Sequence, residues 1–124
     1  MSFYSDSNFT TITAGEDLSS SVGRGVVSAG TLSADNTTSI IAGVVVRGAA
    51  SGLPVIIQGS GYGKMRANAA ITTGTVIGTT TSGNFDDQGV GVSTYYAGVA
   101  LEAASAQEHL IKALISIGAT GAGS

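Results

Sequence analysis

His109 is the sole imidazole in the sequence, and no cysteine accompanies it, so any imidazole base or imidazole metal ligand must be this residue and a thiol nucleophile is excluded. It stands in AQEHLIK beside Glu108. That position, just ahead of an apolar run, reads as a surface side chain at the start of a strand. Serine hydrolysis needs a base and an orienting acid around an exposed hydroxyl, and the G-x-S-x-G elbow does not occur; GSG at 59–61 lacks its spacing. GSGYGK at 59–64 sets glycines before a lysine, as a phosphate loop does. There, however, Gln58 replaces the first glycine of G-x-x-x-x-G-K, Met65 follows the lysine instead of Ser or Thr, and no long helical pattern comes after. A hairpin turn is the better reading. The acids cluster as Glu16–Asp17 and Asp86–Asp87, but neighbours on an extended chain point to opposite sides, so neither pair chelates a metal or forms an acid/base couple. Both read as solvated turns, with a calcium-binding loop as the alternative. The expectation is therefore no catalytic residue, no metal and no cofactor.

What remains is contact chemistry. Lys64 and Arg66 lie two apart in YGKMRANAA, so on a strand they share one face while Met65 and Ala67 share the other. They are read either as simply solvated or as a basic stripe facing an acidic neighbour in an assembly. With Arg47 they give residues 36–85 three cations and no acid, whereas the flanking parts are each acidic and the whole chain carries a net charge of −3. Nucleic-acid binding draws on a larger basic patch, so no nucleic-acid partner is expected. Phe3, Tyr4 and Phe9 are spaced aromatics in a polar, Ser- and Thr-rich stretch, and aromatics are favoured anchors of interfaces. Adjacent Tyr95 and Tyr96 allow a rival reading, a carbohydrate-binding adhesion module in which tyrosines stack on sugar.

The elements that must carry these residues follow from composition and rhythm. Over half of the 124 residues are Gly, Ala, Ser or Thr, with no Trp and one Pro, so the core is built of slim aliphatic side chains. A single domain with so small a core, and only 10% charged residues, is more easily stabilised when copies bury surface against each other. From Arg24 onward, short runs of Val, Ile and Thr alternate with Gly, Ser, Asn and Asp every eight to twelve residues, the rhythm of a sandwich or barrel. Nine strands are expected, over residues 25–29, 31–34, 39–46, 53–58, 62–69, 75–80, 91–95, 98–103 and 110–117. Residues 1–21 are expected to form an extended N-terminal arm, either ordered on a partner or simply frayed. The β domain is expected over 22–118 and a flexible tail over 119–124. Residues 98–117 contain good helix formers, and Ser105 with Glu108 has capping-box spacing. Yet GVVVRGAASGLPVIIQG from Gly43 and GVALEAASAQEHLIKALISIG from Gly98 share a pattern, and Gly52 with Pro54 disfavours a helix in the first. Strand, tight connection, strand is the expectation for both, with at most one helical turn at 105–108. The fold class expected is all-β, a small β-barrel or β-sandwich. No apolar stretch approaches membrane-spanning length, and the N-terminus has no leader pattern; a soluble product made in the cytosol, with no membrane partner, is expected.

TAGEDLS at 13–19, NAAITTGTVIGTTTSGNF at 68–85 and AGVALEAASAQEHLIKALI at 97–115 resemble recurring blocks of the small cement, or head decoration, proteins of tailed phages. That family ends characteristically in a Gly-Val-Ala-Leu block, Ala-Ala and a final apolar strand, preceded by an A-I-x-x-G-x-x-V block. Ala70, Ile71 and Gly74 fit the latter, while Ile77 stands where its valine is expected and Val76 comes one residue early. The resemblance implies a mainly β protein, commonly a homotrimer, made in the bacterial host and bound to the outside of the virion's shell at local threefold sites, where it clamps major capsid protein subunits. It implies no catalytic residues.

Overall fold

The computed structural model describes residues 9–33, 40–87 and 94–120. Among these residues nine strands form two antiparallel sheets: β1 (Phe9–Thr13), β2 (Gly25–Val26), β3 (Gly43–Arg47), β4 (Pro54–Gln58), β5 (Ser60–Arg66), β6 (Val76–Thr79), β7 (Phe85–Asp87), β8 (Thr94–Ala100) and β9 (Leu110–Thr120). The first sheet has the order β1-β4-β3-β2 and the second β5-β9-β8-β6-β7. Each keeps two edges, so the architecture is a sandwich rather than a closed barrel. One short 3-10 turn at Thr81–Gly83 is the only helical element among the described residues, and no helix there is long and apolar enough to cross a membrane.

Strand alternation sorts the slim side chains into two cores. On β9, Ile111, Ala113 and Ile115 are buried while Lys112 and Ser116 are exposed, the period of two that a half-buried strand requires. These residues join Met65, Ile77, Phe85 and Ala100 from the second sheet, Val44 from the first, and Ile41 from the segment before β3 in one cluster. Val45, the next residue on β3, points the other way and packs with Val26, Val55, Ile57 and the loop residues Ala14 and Leu18 in a second cluster. The first sheet is thus apolar on both faces. One face meets the second sheet and the other is covered by its own loops.

Gln58 fastens the two layers. Its buried amide donates to the carbonyls of Ser60 at 3.0 Å and Tyr62 at 2.9 Å, so the buried Gln58 side chain is satisfied by acceptors on the edge strand of the other sheet. Gly98 marks the register shift between β8 and β9, where a Cβ would collide with the Leu114 carbonyl oxygen.

The two runs with a shared sequence pattern form equivalent hairpins, β3–β4 in one sheet and β8–β9 in the other, each with one register shift. No helical turn forms at 105–108. Glu108 instead adopts φ 69°, its amide donates to the Ala67 carbonyl at 2.8 Å, and Ser105 N–H donates to His109 Nδ1 at 3.3 Å.

Several boundaries differ from those read off the sequence. Within the expected arm, residues 9–13 are a strand, because Phe9 to Thr13 pair along the whole of β4, and Ala14, Leu18 and Ser21 behind it are buried. Residues 31–33 make only an isolated bridge at Leu32, since a tight turn at 27–30 folds this segment back on β2. Of the expected strands at 91–95 and 98–103, residues 94–100 run on as one strand, β8, through the Gly98 irregularity; residues 101–103 leave the sheet, and 91–93 lie outside the described residues. Phe85–Asp87, assigned to no strand from its sequence, pairs with β6 and buries Phe85 fully. Residues 119 and 120 belong to β9, and the rest of the expected tail, 121–124, lies outside the described residues.

Candidate functional site

The outer face of the second sheet is the most distinctive surface. Register places Tyr62 of β5 opposite Leu114 of β9, Leu114 opposite Val99 of β8, and Val99 opposite Val76 of β6. Residues directly opposite on antiparallel strands share a face, so these four form one apolar row across the sheet. Tyr62 is 63% exposed and Val76 43%, with Leu114 and Val99 half-buried between them. The adjoining row pairs Lys64 with Lys112, and Leu101 follows, its amide donating to the Lys112 carbonyl at 2.9 Å. Tyr62, Lys64, Leu101 and Lys112 line an open hollow of about 440 Å³.

Two like charges directly opposite on neighbouring strands are destabilising. Glu102 lies beside them, but its Oε1 accepts the Lys112 backbone N–H at 2.6 Å rather than pairing with either ammonium. That hydrogen bond lowers its carboxyl below the usual range; burial opposes it, and the charges of Lys64, Lys112 and His109 add smaller lowering effects.

A second cluster uses its charges internally. Glu108 accepts from Asn84 Nδ2 at 2.9 Å and from Arg24 Nη2 at 3.1 and 3.3 Å, and its Oε1 lies 3.5 Å from Arg66 Nη1. Arg66 also donates through Nε to the Val22 carbonyl at 3.0 Å. The Asn84 hydrogen bond holds the Glu108 carboxyl below its ordinary value; burial opposes it, and the Arg24 hydrogen bond and the charges of Arg24 and Arg66 add to the lowering. The cluster ties the segment before β2, the end of β5, the residue before β7 and the β8–β9 connection together.

The structure therefore divides the two cations read as one stripe. Lys64 is exposed on the outer face, whereas Arg66 is committed to Glu108 and Val22. Arg47 is exposed at the end of β3, in the first sheet, and Phe9 is 56% exposed at the start of the edge strand β1. Phe3 and Tyr4 lie outside the described residues. Tyr96 is half-buried and lines a small recess with Ile41, Thr79 and Ala97. His109 is exposed, and its Nδ1 acts as acceptor. Sequence reasoning did not single out Lys112, Tyr62 or Leu101. The alternation in HLIKALISI places Lys112 on an outward face, but only the register of β9 against β5 brings it opposite Lys64.

No protein-family model matches the chain, and no curated protein sequence does. Among solved structures, the fold is similar to that of the N base of the head fibre gp8.5 of bacteriophage phi29. The TM-score is 0.69 at 22% identity, over 89% of this chain and 94% of that one.

Proposed function

We propose that the protein is a non-catalytic structural component of a tailed-phage head, bound as a homotrimer to the outer surface of the shell, where it bridges major capsid subunits. The observation that carries this reading is the similarity in fold, along nearly the whole length of both chains, to a protein described as the base of a phage head fibre. The resemblance of the GVALEAAS region to cement proteins points the same way. An exposed His109, spent as an acceptor for a backbone amide, and acids engaged by backbone or arginine partners suit a binding role better than a catalytic one.

The mechanism is linkage. A protein that binds the assembled shell and not its separated subunits stabilises the shell by RT ln(1 + [L]/Kd) at each site, about 2.7 kcal/mol at a hundredfold excess over Kd. Three equivalent contacts per trimer raise the effective concentration of the second and third once the first is made.

The neighbour's description as a fibre base favours one further reading, in which this domain anchors a fibre or adhesion segment. Co-sedimentation with expanded empty shells, run beside a glycan-binding screen, separates the two. Shell binding without glycan binding supports decoration. Glycan binding by a chain that ignores shells contradicts it.

A further inference from the structure

We infer that the outer face of the second sheet is the docking surface, and that its occupant is a carboxylate-bearing patch on a shell subunit. This rests on the reading of the chain as a shell-bound head protein. Of the five cations, Arg24 and Arg66 are taken up by Glu108, so Arg47, Lys64 and Lys112 are the cations without an ion pair among the described residues. Two of those three stand directly opposite each other on β5 and β9, in a chain whose net charge is −3. Neighbouring strands are about 4.8 Å apart, so the two lysine side chains leave the sheet next to each other and their like charges disfavour one another, a cost that a carboxylate set between or above them offsets. Glu102 stands nearby, but its Oε1 is held by the Lys112 backbone amide and it forms an ion pair with neither ammonium group, so a partner's carboxylate has both lysines to pair with.

Beside this pair runs the apolar row Tyr62, Leu114, Val99, Val76. An exposed tyrosine next to aliphatic side chains supplies the area, and the lysines supply the selection for acid and the encounter rate. Other occupants suit the face less well. Nucleic acid draws on more than two cations. A twofold contact between copies through this same face gathers the lysines of both copies in one interface, and a threefold contact, which sets it against a different surface of the next copy, is the self-association outcome of the test below.

The test compares two full-length double variants that change net charge equally. Lys64→Gln with Lys112→Gln removes two positive charges from the face, while Ser28→Glu with Ser51→Glu adds two negative charges on exposed loops elsewhere. All four positions are exposed, and circular dichroism with a denaturation midpoint verifies each fold. Binding to expanded shells of the same phage is measured by co-sedimentation between about 50 and 200 mM salt, a range over which contacts between charges weaken. The lysine variant is expected to bind about tenfold more weakly or worse and to show a flatter salt dependence, while the loop variant binds as wild type.

Equal weakening of both variants overturns the inference, because net charge alone then accounts for the loss. A lysine variant that binds as wild type also overturns it and leaves the head-protein reading standing. The same holds if only deletion of residues 2–8 abolishes binding. Self-association without shells that depends on the two lysines overturns the choice of occupant in favour of a second copy. Failure of the wild-type chain to bind shells removes the head-protein reading and this inference together.

Discussion

Replacing Glu108 separates two effects that the fold combines at one residue. Glu108→Ala removes the anion shared by Asn84, Arg24 and Arg66 but leaves the backbone bond to the Ala67 carbonyl in place. A hydrogen bond to a charged group contributes roughly 1.5–3 kcal/mol when sheltered. Exposed ion pairs contribute only about 0.2–1 kcal/mol. The Glu108 side chain is 46% exposed while Arg24 and Arg66 are 22% and 19% exposed, so the contributions of the pairs are discounted. The expected loss is about 2 kcal/mol.

Glu108→Gly loses the same carboxylate but relieves the left-handed backbone at φ 69°, which costs a side-chain-bearing residue roughly 1–2 kcal/mol. The glycine variant should therefore be about 1 kcal/mol more stable than the alanine variant, the reverse of the usual order in regular structure. Urea denaturation at fixed protein concentration reads both differences as shifts in midpoint at constant slope.

Acidity gives an independent check. Glu108 titrates below its ordinary value of 4.5 in the folded chain, so its stabilisation is fully present above that value and is lost as pH falls through the folded pKa. The gap between wild type and Glu108→Gln should accordingly be full at pH 7, begin to narrow below about pH 4.5 and close as pH falls through the lower folded pKa. A glycine variant less stable than the alanine variant, or a gap that persists unchanged at pH 3, would refute the reasoning.

Three further substitutions test how the sheets are joined. Phe85→Ala empties the largest fully buried side chain of the first core and should cost about 3–5 kcal/mol in chemical denaturation. Gly98→Ala drives a methyl group into the Leu114 carbonyl; it should destabilise by about 2 kcal/mol or more and raise hydrogen exchange on β8 and β9 ahead of the first sheet. Gln58→Leu keeps the apolar volume but leaves the Ser60 and Tyr62 carbonyls without their donor, for an expected loss of about 2 kcal/mol by the same urea assay.

The all-β class was legible in the sequence because β-branched runs and turn residues recur at strand spacing, and the GVVVR and GVALE segments do form matching hairpins. Elements defined by partners rather than by composition were not legible. FTTIT is polar at three of five positions and is a strand because β4 offers it a full-length edge. FDD is too short and too acidic to carry a strand signal, and it is held by burial of Phe85 and pairing with β6. The helix formers of EAASAQEHL yield to a turn because Glu108 is claimed by Asn84 and two arginines far away in sequence. For the surface, the face shared by Lys64 and Arg66 follows from strand alternation, but Arg66's commitment to Glu108 and the meeting of Lys64 with Lys112 depend on tertiary register.

The central claim is that this chain works by attachment to an assembled head, and reconstruction of shells saturated with the purified protein tests it most directly. The account predicts trimeric density on the outer surface at local threefold positions, bridging neighbouring subunits, with the outer face of the second sheet against the shell. Shells that remain bare at saturating protein, with the chain a monomer in solution, would contradict it.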